Sequence, residues 1–70
     1  MSSPVVVFIN GQPRQVREGE GILSLILQHR LDPKMILVEH NQKALLRSEW
    51  DAQQLQHGDR MEFIRVVAGG

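Results

Sequence analysis

Val5-Val6-Val7-Phe8-Ile9-Asn10-Gly11 decides how this chain folds. Five β-branched or aromatic residues in succession favour a pleated strand. Asn-Gly directly after them favours a hairpin turn, because both residues tolerate positive φ. Pro13 reads as an extension of that turn, and Arg14 to Val16 as a short edge strand returning beside the first. Glu18-Gly19-Glu20-Gly21 then breaks the pattern. From Ile22 to His29 the period changes: Ile22, Leu25, Ile26 and His29 share one helical face, flanked by Leu23 and Leu27. This broad apolar stripe predicts a helix lying across a sheet. Gly21 stands at its N-cap position without a side-chain oxygen, and Asp32-Pro33 is expected to end it.

Met35 to Val38 reads as a third strand, Asn41-Gln42-Lys43 as a turn, and Ala44-Leu45-Leu46 as a short fourth strand. Ser48-Glu49-Trp50-Asp51 is expected to form a turn or a single helical turn. His57-Gly58-Asp59 marks a tight turn before the last strand, Met61 to Val66. In Gly58-Asp59, Gly permits positive φ and Asp bonds nearby backbone N–H groups. The order β-β-α-β-β-β implies an α+β fold, a mixed sheet of four to five strands with one main helix across one face.

Strand alternation then sorts the faces. Val5, Val7, Ile9, Met61 and Phe63 are expected to meet the helix. Val6, Phe8 and Ile64 are left on an open sheet face, with Val66 following Ile64 in the same alternation. Large apolar groups exposed together usually mark a partner surface.

The chain has 70 residues, with 8 basic, 8 acidic, three His and no Cys. That length suits one domain, spanning 1–70, with little room for a deep substrate cavity. Zero net charge and dispersed basic residues argue against nucleic acid as a partner. The lack of Cys removes disulfides, thiolate nucleophiles and Cys-based metal sites, and suits a reducing compartment. Met1-Ser2-Ser3-Pro4 lacks the features of a signal peptide, and no stretch is long enough to span a membrane, so the expected location is cytoplasmic. His29, His40 and His57 have no metal-ligand spacing, so no metal is expected, because zinc sites need three or four ligands. Trp50 is expected to cap the small core, with Arg47 pairing locally.

The sequence closes on Val67-Ala68-Gly69-Gly70. Two glycines at the end arise by chance in about one chain in 200, given the ordinary abundance of glycine. The bland reading is a frayed tail. The functional reading is a flexible handle that threads a channel too narrow for side chains. Its α-carboxylate is ionised at neutral pH and is a poor electrophile until a partner activates it with ATP. Sulfur attack on an acyl-adenylate would leave a thiocarboxylate, a nucleophile that water does not readily supply.

The whole stretch from Val5 to Gly70 resembles the thiamine-biosynthesis sulfur carrier proteins, the ThiS family, with the ubiquitin-like β-grasp fold. The resemblance rests on Phe8-Ile9-Asn10-Gly11, Val38 with Asn41, Arg47-Ser48-Glu49-Trp50, Gly58-Asp59 and Val67-Ala68-Gly69-Gly70. It implies a central parallel pair formed by the first and fifth strands. It also implies that the carboxylate of Gly70 is adenylated by an E1-like adenylyltransferase. The acyl-adenylate would become a thiocarboxylate with sulfur from a donor such as a cysteine desulfurase, and would give its sulfur to thiazole synthase. On this reading Gly69 keeps the tail slim, and Val6, Phe8, Ile64, Val66, Val67 and Ala68 contact partners. The chain is then a carrier rather than an enzyme, a monomer when free. It binds no cofactor itself, ATP being used by the adenylating partner. Leu46 departs from the family pattern where Pro is common, and Gly21 where a hydroxyl cap is common. Three alternatives share the tail or the fold: the small subunit of molybdopterin synthase, a ubiquitin-like protein modifier, and an interaction module with an inert tail.

Overall fold

The elements are β1 (Val5–Ile9), β2 (Gln12–Val16), α1 (Ile22–Gln28), β3 (Ile36–His40), β4 (Lys43–Leu45) and β5 (Arg60–Arg65), with 3-10 turns at Pro33–Met35 and Arg47–Glu49. The computed structural model, which describes residues 4–67, joins the strands into one sheet in the order β2-β1-β5-β3-β4. β1 and β5 run parallel at its centre, as the resemblance implies, and β3 pairs antiparallel with both β5 and β4.

The first hairpin turns on two residues, Asn10 at φ 50 and Gly11 at φ 81. A two-residue turn keeps Ile9 opposite Gln12 and Phe8 opposite Pro13. Pro13 therefore sits inside β2 instead of extending the turn, and the strand starts two residues earlier than the composition suggested. β2 tolerates the proline because it lies at the sheet edge.

Helix α1 buries Ile22, Leu25 and Ile26, while Leu23 and Leu27 remain exposed flanks. It stops at Gln28, before the expected Asp32-Pro33 boundary. Arg30 adopts φ 58, and its N–H donates to the Leu27 carbonyl (2.9 Å) while that of Leu31 donates to the Ile26 carbonyl (3.2 Å). These two bonds form a Schellman cap, and Leu31 packs partly buried against the core, a contact that often accompanies the motif. Asp32 instead opens the next turn, its side chain accepting from the Lys34 N–H at 3.0 Å.

The later strands are shifted by a residue or two for a similar reason. Asn41 (φ 50) and Gln42 (φ 73) make another two-residue turn, so pairing persists to His40 and Lys43. β3 thus runs to His40 and β4 covers Lys43–Leu45.

Val7, Ile9, Met61 and Phe63 meet α1 in the core, as alternation predicts, and Val5 packs partly against them. Trp50 closes one end of the core at 4% exposure, with the Arg47 guanidinium 5.3 Å from its ring centre. The indole N–H donates to the Leu45 carbonyl (3.4 Å), so the ring is held at its polar end as well. Leu46, the position of the missing proline, has φ −67, which a proline ring would match. Its N–H, however, donates to the Glu49 carboxylate at 2.8 Å, a bond that proline could not make.

The start of α1 has no side-chain cap. The backbone of Gly21 is extended (φ −122, ψ −173), and a Cβ there would meet nothing within 4 Å. Gly21→Ser should add a capping oxygen and reduce the entropy of the unfolded chain. The expected gain is about 0.5–1 kcal/mol in a urea titration. A loss of stability would show that the cap site is not free to accept a side chain.

Candidate functional site

The candidate site is the end of β5 and the face it shares with β1 and β3, so its geometry depends on how β5 is held. β1 pairs with β5 only at Phe8–Arg60 and Ile9–Met61. Asn10 lengthens that short ladder with its side chain: Oδ1 accepts from the Phe63 N–H (2.8 Å) and Nδ2 donates to the Phe63 carbonyl (3.3 Å). Across β5, Asn41 plays the same part, its Oδ1 accepting from the Arg60 N–H at 2.9 Å. Two asparagines at hairpin turns thus act as surrogate peptide groups on either side of one strand.

Asp59 fixes the strand's beginning. It is 8% exposed and accepts from the Gln56 N–H (2.9 Å) and from Asn41 Nδ2 (3.3 Å), while its Oδ2 lies 3.0 Å from His40 Nε2. Burial opposes ionisation of its carboxyl, but the hydrogen bonds from His40, Gln56 and Asn41 together outweigh it, and the pKa falls below the usual value. The turn reading of Gly58-Asp59 holds, with Gly58 at φ 90. His40 belongs to this network, and His57 Nδ1 accepts from the Val6 N–H at 3.1 Å. The ring of His29 packs edge-on to Phe63, 5.9 Å between centres. Among the described residues no group of three His, Cys, Asp or Glu is placed to hold a metal ion.

The open face divides into two zones. Ile64 stands directly opposite Leu37 in register, whereas Phe8 stands opposite Arg60, four residues earlier on β5. That offset is about 13 Å along the strand, so Phe8 and Ile64 do not touch as one cluster. The first zone holds Val6 and Phe8, both half-buried, with the Arg60 guanidinium 5.0 Å from the Phe8 ring centre. The second holds Ile64 at 42% exposure and Leu37 at 59%, with exposed Val66 and Val67 continuing toward the tail. Leu37 was not singled out in the sequence because Met35-Ile36-Leu37-Val38 shows no polar alternation; β3 buries Ile36 and Val38 and turns Leu37 outward. Between the zones, Glu39 and Glu62 face each other across β3 and β5. Ala68, Gly69 and Gly70 lie outside the described residues.

A mixed sheet with a central parallel pair, one helix across one face and an apolar open face defines a ubiquitin-like β-grasp. The ThiS family model matches residues 7–70, and the chain belongs to that family. The crystal structure of the thiamine biosynthesis protein ThiS from Geobacter metallireducens superposes with a TM-score of 0.73. That protein is 28% identical, and the match covers 94% of this chain and all of that one. A thiazole synthase of Magnetococcus marinus is 27% identical over 64 residues, 91% of this chain. The chain spans only 20% of the length of that relative.

Asp59 gives the site a pH signature. Its carboxyl is depressed in the folded state, so its contribution is complete above the unfolded pKa and is lost as pH falls through the folded value. Asp59→Asn should cost about 1–3 kcal/mol in urea unfolding at pH 7, and the gap from wild type should narrow progressively below about pH 4. A gap that stayed constant to pH 2 would contradict this role for the charge.

Proposed function

We propose that this chain is the sulfur carrier of thiamine biosynthesis, working through the carboxylate of Gly70. The single observation that carries the reading is a ThiS-family match that runs through Gly69 and Gly70 on a β-grasp whose last strand leads into them. A carboxylate oxygen of Gly70 attacks the α-phosphorus of ATP in an E1-like partner, and pyrophosphate leaves. The persulfide sulfur of a cysteine desulfurase then attacks the acyl carbon and displaces AMP. A thiol cleaves the acyl disulfide so formed, leaving as a disulfide with the donor's sulfur and freeing the thiocarboxylate. The resulting thiocarboxylate passes its sulfur to thiazole synthase in the assembly of the thiazole ring. The similarity of a fifth of one thiazole synthase to this chain supports that last partner. ATP is the partner's substrate rather than a ligand of the carrier, and the cytoplasm supplies the setting.

The chain's own contribution is positional. Slim residues at 69 and 70 let the acyl carbon reach a recessed active site. Leu37, Ile64 and Val66 offer an apolar strip beside the tail, where docking would bury it. The Val6–Phe8 zone lies farther back and carries the Arg60 cation, so it suits a separate contact.

Intact mass tests the reading. Incubation with ATP, an E1-like adenylating enzyme and a cysteine desulfurase should exchange one oxygen for sulfur at Gly70, and deletion of Gly70 should abolish the exchange with the melting temperature unchanged. Ile64→Asp should raise the KM of adenylation about tenfold with little effect on kcat, as expected for a charge placed in an apolar contact. An unchanged mass with Gly70 free would leave an inert module, and adducts on target lysines would indicate a modifier.

A further inference from the structure

The two edges of β5 are used unequally. On the β3 side the ladder runs past the strand's end: the Asn41 N–H donates to the Arg60 carbonyl (2.7 Å) and the Val66 N–H to the Met35 carbonyl (2.7 Å). These bonds fix the alternation, because in an antiparallel ladder every second residue turns its N–H and C=O to the same neighbour. Arg60, Glu62, Ile64 and Val66 therefore face β3, and Met61, Phe63, Arg65 and Val67 face β1. On the β1 side the partners run out. The Phe8 N–H donates to the Asp59 carbonyl (2.8 Å), the Asn10 N–H to the Met61 carbonyl (2.9 Å), and the Asn10 side chain takes both groups of Phe63. There β1 turns back toward β2. Among the described residues, the N–H and C=O of Arg65 and Val67 have no protein partner.

We propose that this unpaired edge, Arg65 to Val67, is a docking strand: an extended segment of the adenylating partner adds to the sheet there, beginning where Asn10 ends the internal ladder. The inference rests on the carrier reading given above and deepens it. A tail of Val-Ala-Gly-Gly offers a partner few side chains to grip, so recognition through the backbone suits its composition. The edge is open to water, with Arg65, Val66 and Val67 all exposed. It is also continuous with the apolar strip of Leu37, Ile64 and Val66, so one partner surface would engage both. Asn10 is then a positioning residue, whose side chain occupies the place that the next residue of a continuing ladder would take and sets the register of the incoming strand.

Two measurements on the full chain test this. Val67→Pro removes one unpaired donor, fits an extended backbone, and spares the Val66–Met35 bond. It should raise the KM in ATP–pyrophosphate exchange with an E1-like adenylating enzyme by about three- to tenfold, the loss expected for one interfacial hydrogen bond, with the free protein's melting temperature unchanged. Amide hydrogen exchange of the wild-type complex should show new protection at Arg65 and Val67, with Val66 changing little because its N–H is already bonded. Unaltered KM in Val67→Pro, or protection that does not alternate, would overturn the docking strand while leaving the carrier reading intact. A wild-type chain that is not adenylated at all would overturn both. Concentration-dependent dimerisation that protects the same amides without the enzyme would assign the edge to a second copy of this chain and overturn the proposed partner.

Discussion

The placement of β5 between β1 and β3 is the constraint on which the rest of the structure depends. A parallel pair cannot be closed by a hairpin, so the chain must travel from β1 through every other element before β5 reaches its place. Only two residue pairs of backbone ladder then join β1 to β5. Side chains fasten β5 further: Asn10 holds Phe63 on the β1 side, Asn41 holds Arg60 on the β3 side, and Asp59 anchors the strand's start. Each of these polar groups sits at a turn; Asn10 reaches Phe63 and Asn41 reaches Arg60 across long stretches of sequence, while Asp59 joins a local bond from Gln56 to a distant one with His40. The turns are therefore fasteners for the central strand as well as reversals of direction.

A single helix over this sheet leaves the opposite face uncovered. The chain spends some stability there: Leu37 and Ile64 stay in water, and Glu39 faces Glu62 with like charge. Such features are poor choices for a free monomer and reasonable ones for a surface that is covered in turn by different partners. Strand β5, fastened on both edges, is also the last element before the Gly69-Gly70 end of the sequence. On the carrier reading proposed above, a firmly held strand followed by slim residues would present the acyl carbon at a defined depth, and the activating chemistry would belong to the partners.

Much of this was legible in the sequence because it is local. Asn10-Gly11 specified its hairpin, alternation in β1 and β5 sorted the two faces, and the stripe Ile22-Leu25-Ile26 specified the buried side of α1. What escaped is either non-local or chemically silent. The helix ends at an arginine in the left-handed region, where a glycine would have announced the stop. Leu37 lies in an unbroken apolar run, so its outward turn depends on the pairing partner. The separation of Phe8 from Ile64 is a matter of register between strands that are fifty residues apart, which face assignment alone does not contain. The pairing of His40 with Asp59 was hidden in the same way: each residue read separately as ordinary, and only the fold brings them together.

The central claim is that sulfur leaves this chain for a thiazole. The most direct measurement is a single turnover in which the carrier, loaded with isotopically labelled sulfur at Gly70 and freed of donor, is mixed with thiazole synthase and its small-molecule substrates. The account predicts that label disappears from the protein and appears in the thiazole product in equal amount. Label that remains on the chain, or moves only when a molybdopterin precursor and the large subunit of its synthase are supplied, would contradict it.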